Sequence, residues 1–200
     1  GSPLRLWNFL IMRLTATIVL ILSLCLLGLT GCNSSYTYTN SEYKISLTYP
    51  GNVDLFDDRE TLLEKPGQKE SNEQALDHPE LLFAFVTMHQ GQLTGSVHQL
   101  PKDVQLTADE YYEASTAKEL SALGAEIVEP RTKILLDGND FHTVGFKLAL
   151  GEQTVRSRIY EYLDPESGRI LVLTASALES NWASEGPVME SMVRSLKVGW

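Results

Sequence analysis

A run of six apolar residues, Leu81-Leu82-Phe83-Ala84-Phe85-Val86, constrains the fold more than any other stretch of this chain. Strands at a protein surface alternate apolar and polar residues, whereas a strand that is apolar at every position must be covered on both faces. A second run of this kind, Ile170-Leu171-Val172-Leu173, lies in the predicted strand 169–177. The sequence therefore predicts central strands that other parts of the chain cover on both sides.

Short turns separate the later predicted strands. These turns are Asp137-Gly138-Asn139-Asp140, Gly151-Glu152-Gln153 and Asp164-Pro165-Glu166-Ser167-Gly168. The strands that they join are residues 127–136, 141–150, 154–163 and 169–177. Because strands joined by short turns pair with each other, this part of the chain is predicted to be an antiparallel meander.

Two helices are predicted from capping and spacing signals. Thr107 and Glu110 have the spacing of a capping box, so a helix is expected over residues 107–123, with Gly124 ending it. A second helix is predicted to begin with Pro187 in its first turn. It places four apolar residues on one face, which predicts that they belong to the core: Met189, Met192, Val193 and Leu196.

The predicted domain opens with a strand over residues 42–50. Four apolar or aromatic residues alternate there with polar ones, and they are Tyr43, Ile45, Leu47 and Tyr49. Residues 57–79 are charged and are interrupted by Pro66 and Pro79, so a long surface excursion is expected. Residues 91–106 show only weak patterning, and no element is assigned to them.

Taken in order, these elements resemble the PsbP-like and DcrB-like lipoproteins. The matching positions are Tyr43, Ile45, Leu47, Tyr49, Pro50, Leu120, Gly138, Gly168 and Ser195. The resemblance spans nearly all of the predicted domain and implies an α+β fold, an antiparallel sheet sandwiched between helices in a PsbP-like α/β/α sandwich. It implies no shared catalytic residues, and members of the family serve as accessory or assembly proteins.

The amino-terminal residues have the features of a secretory leader. Arg5 and Arg13 precede an uncharged apolar run, residues 14–29, and the small residues Thr30 and Gly31 follow. Cys32, directly after Leu29-Thr30-Gly31, resembles the lipobox of bacterial lipoproteins, which implies a diacylglyceryl group on Cys32 and cleavage before it. The alternative is an uncleaved signal anchor, although the apolar run is shorter than the roughly 20 residues of a spanning helix.

These signals divide the chain into three parts. Residues 1–31 are predicted to be a signal peptide, in which residues 1–11 are an upstream extension or a remnant of cloning. Residues 32–41 are predicted to be the lipidated Cys32 and a tether, because residues 33–41 are polar and show no apolar period. Residues 42–200 are predicted to form a single domain. The predicted location is the extracytoplasmic face of a cell membrane, to which acyl chains on Cys32 anchor the protein.

Charge and cysteine content narrow the range of partners. The net charge is −10, and an acidic surface of this kind repels nucleic acid and anionic headgroups. Cys25 and Cys32 are the two cysteines of the chain, so a domain that begins after Cys32 contains no disulfide. We therefore expect a monomer that binds the membrane through Cys32 and also binds a protein partner, with no nucleic acid and no cofactor.

The basic residues of two predicted neighbouring strands are candidates for a binding site. Lys147 lies in one strand, and Arg156 and Arg158 lie two residues apart in the next, which places both arginines on one face. Such a stripe can bind an anion or the carboxylates of a partner. The alternative is pairing with the domain's own acidic residues.

Three other patterns are weighed as sites. Ser115 and Lys118 have the Ser-x-x-Lys spacing of penicillin-binding enzymes, but the accompanying motifs are missing, so a helix surface is favoured. Four histidines are scattered, although His89 and His98 can meet across a hairpin near Glu80. An acidic group suits a hard cation such as calcium but lacks the regular loop spacing, and it comprises Asp54, Asp57, Asp58 and Glu60.

The sequence thus favours a non-enzymatic, lipid-anchored accessory or assembly protein of the cell envelope, with no catalytic and no metal residues. The first alternative is a lipoprotein that binds a solute or a cation. The second is an envelope enzyme that uses Ser115 and Lys118.

Overall fold

The computed structural model of the protein describes residues 34–57 and 80–200. Within these residues the chain forms ten strands, three α-helices and one short 3-10 turn, Glu179–Asn181. The strands are β1 (Ser35–Asn40), β2 (Ile45–Pro50), β3 (Asp54–Phe56), β4 (Glu80–Val86), β5 (Gln92–Gln99), β6 (Glu126–Leu136), β7 (Asn139–Leu150), β8 (Gln153–Leu163), β9 (Arg169–Leu178) and β10 (Lys197–Val198). The helices are α1 (Ala108–Ala114), α2 (Thr116–Ala122) and α3 (Trp182–Arg194).

Seven strands form one large antiparallel sheet, in the order β3-β4-β5-β9-β8-β7-β6. The predicted meander is confirmed as the part β6-β7-β8-β9. The two runs that are apolar at every position lie in β4 and β9, and Phe83, Phe85, Leu171 and Leu173 are fully buried there. The remaining three strands form a small sheet in the order β1-β2-β10.

The large sheet is covered on both faces, as the apolar runs require. One face packs against α3 and the small sheet in a core that includes Phe83, Leu173, Met189, Met192 and Ile45. The other face packs against α1 and α2 in a second core, whose buried residues are Leu120, Val144, Phe146, Leu148 and Ile159. The predicted α+β sandwich, an antiparallel sheet between helices, is confirmed, with the small sheet as an addition beside α3.

The first strand corrects the prediction of a tether over residues 32–41. Ser35–Asn40 pairs with β2 along its whole length, and Tyr38 is 5% exposed, with its ring 5.0 Å from that of Phe83. Tyr36 and Tyr38 alternate with threonines, a period of two that suits a strand with one buried face. The domain therefore begins before residue 42. The predicted leader, Cys32 and residues 58–79 lie outside the described residues.

A second difference is β5, which lies in a stretch for which the sequence predicts no element. Its partners are β4 and β9, so it lies inside the large sheet. One face of β5 consists of Leu93, Gly95 and Val97, and Gly95 faces the ring of Phe83 so closely that a Cβ would overlap it. The apolar alternation of β5 is weak because Gly95 carries no side chain, and the space above it is filled by the ring of Phe83 on β4.

The helices differ from prediction in two places. The capping box is present, with Glu110 N–H donating to Thr107 Oγ1 at 3.2 Å, but the predicted single helix breaks at Ser115, which separates α1 from α2. The last helix begins at Trp182, so Pro187 lies inside it and not in its first turn. Pro187 and Ala183, whose carbonyl would have accepted its N–H, are both exposed, so water can solvate that carbonyl.

Candidate functional site

The predicted basic residues lie together on the face of the large sheet that α3 covers. Lys147 on β7 is directly opposite Arg156 on β8, and Arg158 is opposite Gly145. All three cationic side chains are mostly buried, with 22–28% of their surface exposed. The strand register thus brings the three residues together as the sequence predicted.

Each of these cations is paired with a carboxylate of the same chain. Glu129 on β6 accepts hydrogen bonds from Arg156, at 2.7 Å, and from Arg158. Glu179 lies 2.9 Å from Lys147 Nζ, and Glu190 on α3 lies 3.6 Å from Arg158. We call this group the ion-pair network, and it consists of Glu129, Lys147, Arg156, Arg158, Glu179 and Glu190.

The network contains three cations and three carboxylates, and one of the carboxylates, Glu190, also accepts a hydrogen bond from Arg194 at 2.6 Å. Burial opposes the ionisation of Glu129, but the hydrogen bonds from Arg156 and Arg158 outweigh this effect and lower its pKa. Gly145 leaves room for the side chain of Glu129, since a Cβ at that position would lie 2.8 Å from it. The stripe is therefore not a free anion site within the described structure but a set of paired charges.

A cleft of about 180 Å³ lies beside the network, between β8 and the start of α3. We call it the Trp182 cleft, and its lining residues are Arg158, Tyr160, Ala175, Trp182, Ala183, Gly186, Pro187 and Glu190. The Arg156 guanidinium lies 5.2 Å from the centre of the Trp182 ring, close enough for a cation–π contact. Burial raises the pKa of Tyr160, with Arg158 acting in the opposite direction. The cleft thus combines a tryptophan, a tyrosine and an arginine.

A second cleft, of about 500 Å³, lies where the chain enters the domain. We call it the amino-terminal cleft. Six of its lining residues carry hydroxyl groups, and they are Ser34, Ser35, Thr48, Tyr49, Ser191 and Ser195. The others are Pro50, Gly51, Asn52, Met88 and Met192, so every described residue that lines it is uncharged. Sequence reasoning missed this cleft because its residues come from four separate segments.

The Ser-x-x-Lys pair is not part of either cleft. Ser115 is half-buried at the break between α1 and α2, and Lys118 is exposed on α2. Directly after the break, the hydroxyl of Thr116 donates a hydrogen bond to the carboxylate of Glu161 on β8. Glu161 is 6% exposed, and its burial raises its pKa. Its position in a strand between apolar residues was the available sequence signal.

The histidines and acidic residues are dispersed. His89 Nδ1 lies 2.8 Å from a carboxylate oxygen of Glu185 in α3, whereas His98 lies on β5 opposite Ile170, so the two histidines do not meet. Asp54 and Asp57 are exposed, and Asp58 and Glu60 lie outside the described residues. Within residues 34–57 and 80–200, no three histidine, cysteine or acidic side chains are grouped as metal ligands. No helix in the same ranges is both long and apolar enough to span a membrane.

The architecture defines the chain as having a PsbP-like fold. The solution structure of cyanobacterial PsbP (CyanoP) from Synechocystis sp. PCC 6803 is similar with a TM-score of 0.54 at 17% identity, and the match covers 88% of this chain and 99% of that chain. LpqN, involved in cell envelope biogenesis of Mycobacterium tuberculosis, is similar with a TM-score of 0.59 at 12% identity, covering 84% of this chain and 91% of that chain. At these identities the likeness establishes the fold alone.

Comparison of the sequence with protein families and with curated proteins gives no match.

Proposed function

We propose that the protein is a non-enzymatic accessory module of the cell envelope, anchored by acyl chains on Cys32 and acting by binding a protein partner as a monomer. The observation that carries the proposal is the PsbP-like fold shared with LpqN over 91% of that chain, a protein described as involved in cell envelope biogenesis. The lipobox resemblance of Leu29-Thr30-Gly31-Cys32 supports a location at the membrane.

The Trp182 cleft, with Lys147, Arg156 and Arg158 of the adjoining network, is the partner contact that we propose. Tryptophan, tyrosine and arginine are the residues that most often dominate the binding energy of protein interfaces. The pair between Arg158 and Glu190 is longer than the bonds to Glu129, at 3.6 Å, so a partner's carboxylate could replace Glu190 at Arg158 while Glu190 keeps its bond to Arg194.

Photo-crosslinking in the native membrane tests this contact. Pro187 lines the cleft and is exposed, and it has no N–H for the helix ladder to lose, so a benzoylphenylalanine at this position should preserve α3. Ser121, exposed on α2 across the large sheet, is the matched control position. We expect one discrete crosslinked protein from position 187 and none from position 121. Crosslinks from position 121 alone would refute the proposed contact.

The anchor is tested separately with Cys32→Ala. Because the thiol of Cys32 is the only acceptor for the diacylglyceryl group in the lipobox, this variant should accumulate as an uncleaved precursor without acyl groups. Mass spectrometry of the membrane fraction measures both properties. Normal cleavage of the variant would show that Cys32 is not the lipidation site.

A further inference from the structure

The amino-terminal cleft lies directly after the proposed lipidation site. Ser34 and Ser35 line it, and the carbonyl of Ser34 accepts a hydrogen bond of 2.6 Å from Gly51 N–H, which fixes Ser34 to the turn after β2. Pairing of Ser35 with Pro50 begins the small sheet at the same place. The path of the chain is therefore set from Ser34 onward, and no tether separates Cys32 from the folded domain except Asn33.

The distance from the acyl chains to this cleft follows from the covalent geometry. Consecutive Cα atoms are 3.8 Å apart, so the Cα of Cys32 lies within about 8 Å of the Cα of Ser34. A lipid on Cys32 has its glycerol group at the bilayer surface. This end of the domain is then held against the membrane, a conclusion that depends on the lipidation in the proposed function.

The chemistry of this end fits a membrane interface. The residues that line the cleft are uncharged, although the chain has a net charge of −10. Two of the large hydrophobic side chains that the structure leaves exposed lie here, Tyr36 at 53% and Met88 at 60% exposed. The ring of Tyr36 packs 5.8 Å from that of Tyr49. Tyrosine is enriched at the interfaces of membranes, where its ring is buried and its hydroxyl is hydrated.

We propose that this end, formed by the amino-terminal cleft with Tyr36 and Met88, docks on the headgroup region of the membrane to which Cys32 anchors the protein. Tyr36 and Met88 enter the interface, and the hydroxyls of the cleft bond to uncharged parts of the lipid headgroups. The anchor supplies a high local concentration of membrane, so a weak docking surface is sufficient. Asp54 and Asp57, exposed in and directly after the neighbouring β3, favour zwitterionic over anionic lipids.

The test uses the full-length protein, expressed with its leader, purified from membranes and reconstituted into phosphatidylcholine vesicles. Residues 33–200 contain no cysteine, so Met88→Cys gives a single free thiol for a fluorophore once Cys32 is acylated. Vesicles with lipids brominated near the headgroup should quench this fluorophore. Tyr36→Cys provides a second labelled position if the first variant does not fold.

Leu135→Cys is the matched control, because Leu135 is also a large exposed apolar residue, at 69%. Leu135 lies two residues before Asp137, which accepts a hydrogen bond from Val198 N–H. Val198 pairs with Ile45, which is at the opposite end of β2 from Pro50. Six residues of β2 place these ends about 17 Å apart. We expect several-fold stronger quenching at position 88 than at position 135, and weaker quenching when phosphatidylglycerol replaces half of the lipid.

The mass of the mature protein separates the failure of this proposal from the failure of the proposed function. An acylated Cys32 with equal quenching at positions 88 and 135 would overturn the docking surface and leave the anchor intact. A mature protein without acyl groups would overturn the lipid anchor on which the docking surface depends.

Discussion

Glu161 and Glu129 are held on opposite faces of the large sheet, and their surroundings shift their pKa values in opposite directions. Glu161 faces α2 with Thr116 as its partner, and burial raises its pKa. Glu129 faces α3 with two arginines, whose hydrogen bonds lower its pKa against the effect of burial. The same substitution, glutamate to glutamine, should therefore have opposite consequences at the two positions.

Glu161→Gln is expected to stabilise the protein at neutral pH. A carboxyl whose folded-state pKa is raised contributes stability below its ordinary pKa of 4.5, and that contribution is lost as the pH rises through the raised value. Glutamine still accepts the hydrogen bond from Thr116 but carries no charge to bury. Urea unfolding of the variant should show a stability advantage that grows with pH. An advantage that is independent of pH would contradict the role of ionisation.

Glu129→Gln is expected to destabilise the protein by about 1–3 kcal/mol at neutral pH, because two mostly buried arginines lose their shared counter-charge. The stability that Glu129 provides is present above its ordinary pKa of 4.5 and is lost as the pH falls through the lowered value. The difference from the unmodified protein should therefore shrink in acid. Glu152→Gln, in the exposed turn after β7, is the control and should change little.

At the level of elements, the contact between β4 and β5 depends on Gly95. An added Cβ would overlap three ring atoms of Phe83, which is fully buried. We expect Gly95→Ala to cost about 1–3 kcal/mol of unfolding free energy through overpacking. Thermal or urea unfolding measures the loss.

A double-mutant cycle tests whether the ring of Phe83 causes the cost of Gly95→Ala. In a Phe83→Leu background, the cost of Gly95→Ala should fall by about 1 kcal/mol, because the smaller side chain leaves room for the methyl group. Equal costs in both backgrounds would show that Gly95 matters for its backbone and not for its contact with Phe83.

The elements that could be predicted from the sequence are those with local signals. The strands of the meander follow from turn residues and alternation, and the start of α1 follows from the capping box at Thr107 and Glu110. The element β5 could not be predicted, because Gly95 is explained only by Phe83 on the next strand. The break at Ser115 is equally non-local, since Thr116 turns there toward Glu161 on β8.

Of the candidate site, the sequence predicts the cluster of basic residues but not the carboxylates that pair with them. The proximity of Lys147, Arg156 and Arg158 follows from the alternation of strands. Their carboxylate partners could not be predicted, because Glu129 precedes them in β6 and Glu190 follows in α3, and only the assembled fold brings both together. The amino-terminal cleft was missed for the same reason.

For the molecule as a whole, if Cys32 carries the proposed lipid anchor, the distance between Cys32 and the domain should control how the domain sits on the membrane. Insertion of about ten glycine and serine residues between Asn33 and Ser34 gives a flexible connection with a mean length of about 17 Å. The protein should remain in the membrane fraction, whereas quenching of a fluorophore at Met88→Cys should decrease because the domain can leave the surface. Unchanged quenching would show that docking does not require the short connection.

The position of β1 also limits when this protein can mature. β1 is an edge strand that pairs with β2 alone, and among the described core residues it supplies Tyr38. A peptidase and an acyl transferase need several residues of extended, unpaired chain around Cys32. The pairing of Ser35 with Pro50 leaves few unpaired residues after Cys32. If Cys32 is processed, β1 must be unpaired from β2 at that moment, so the pairing of β1 either follows the processing of Cys32 or is reversed for it.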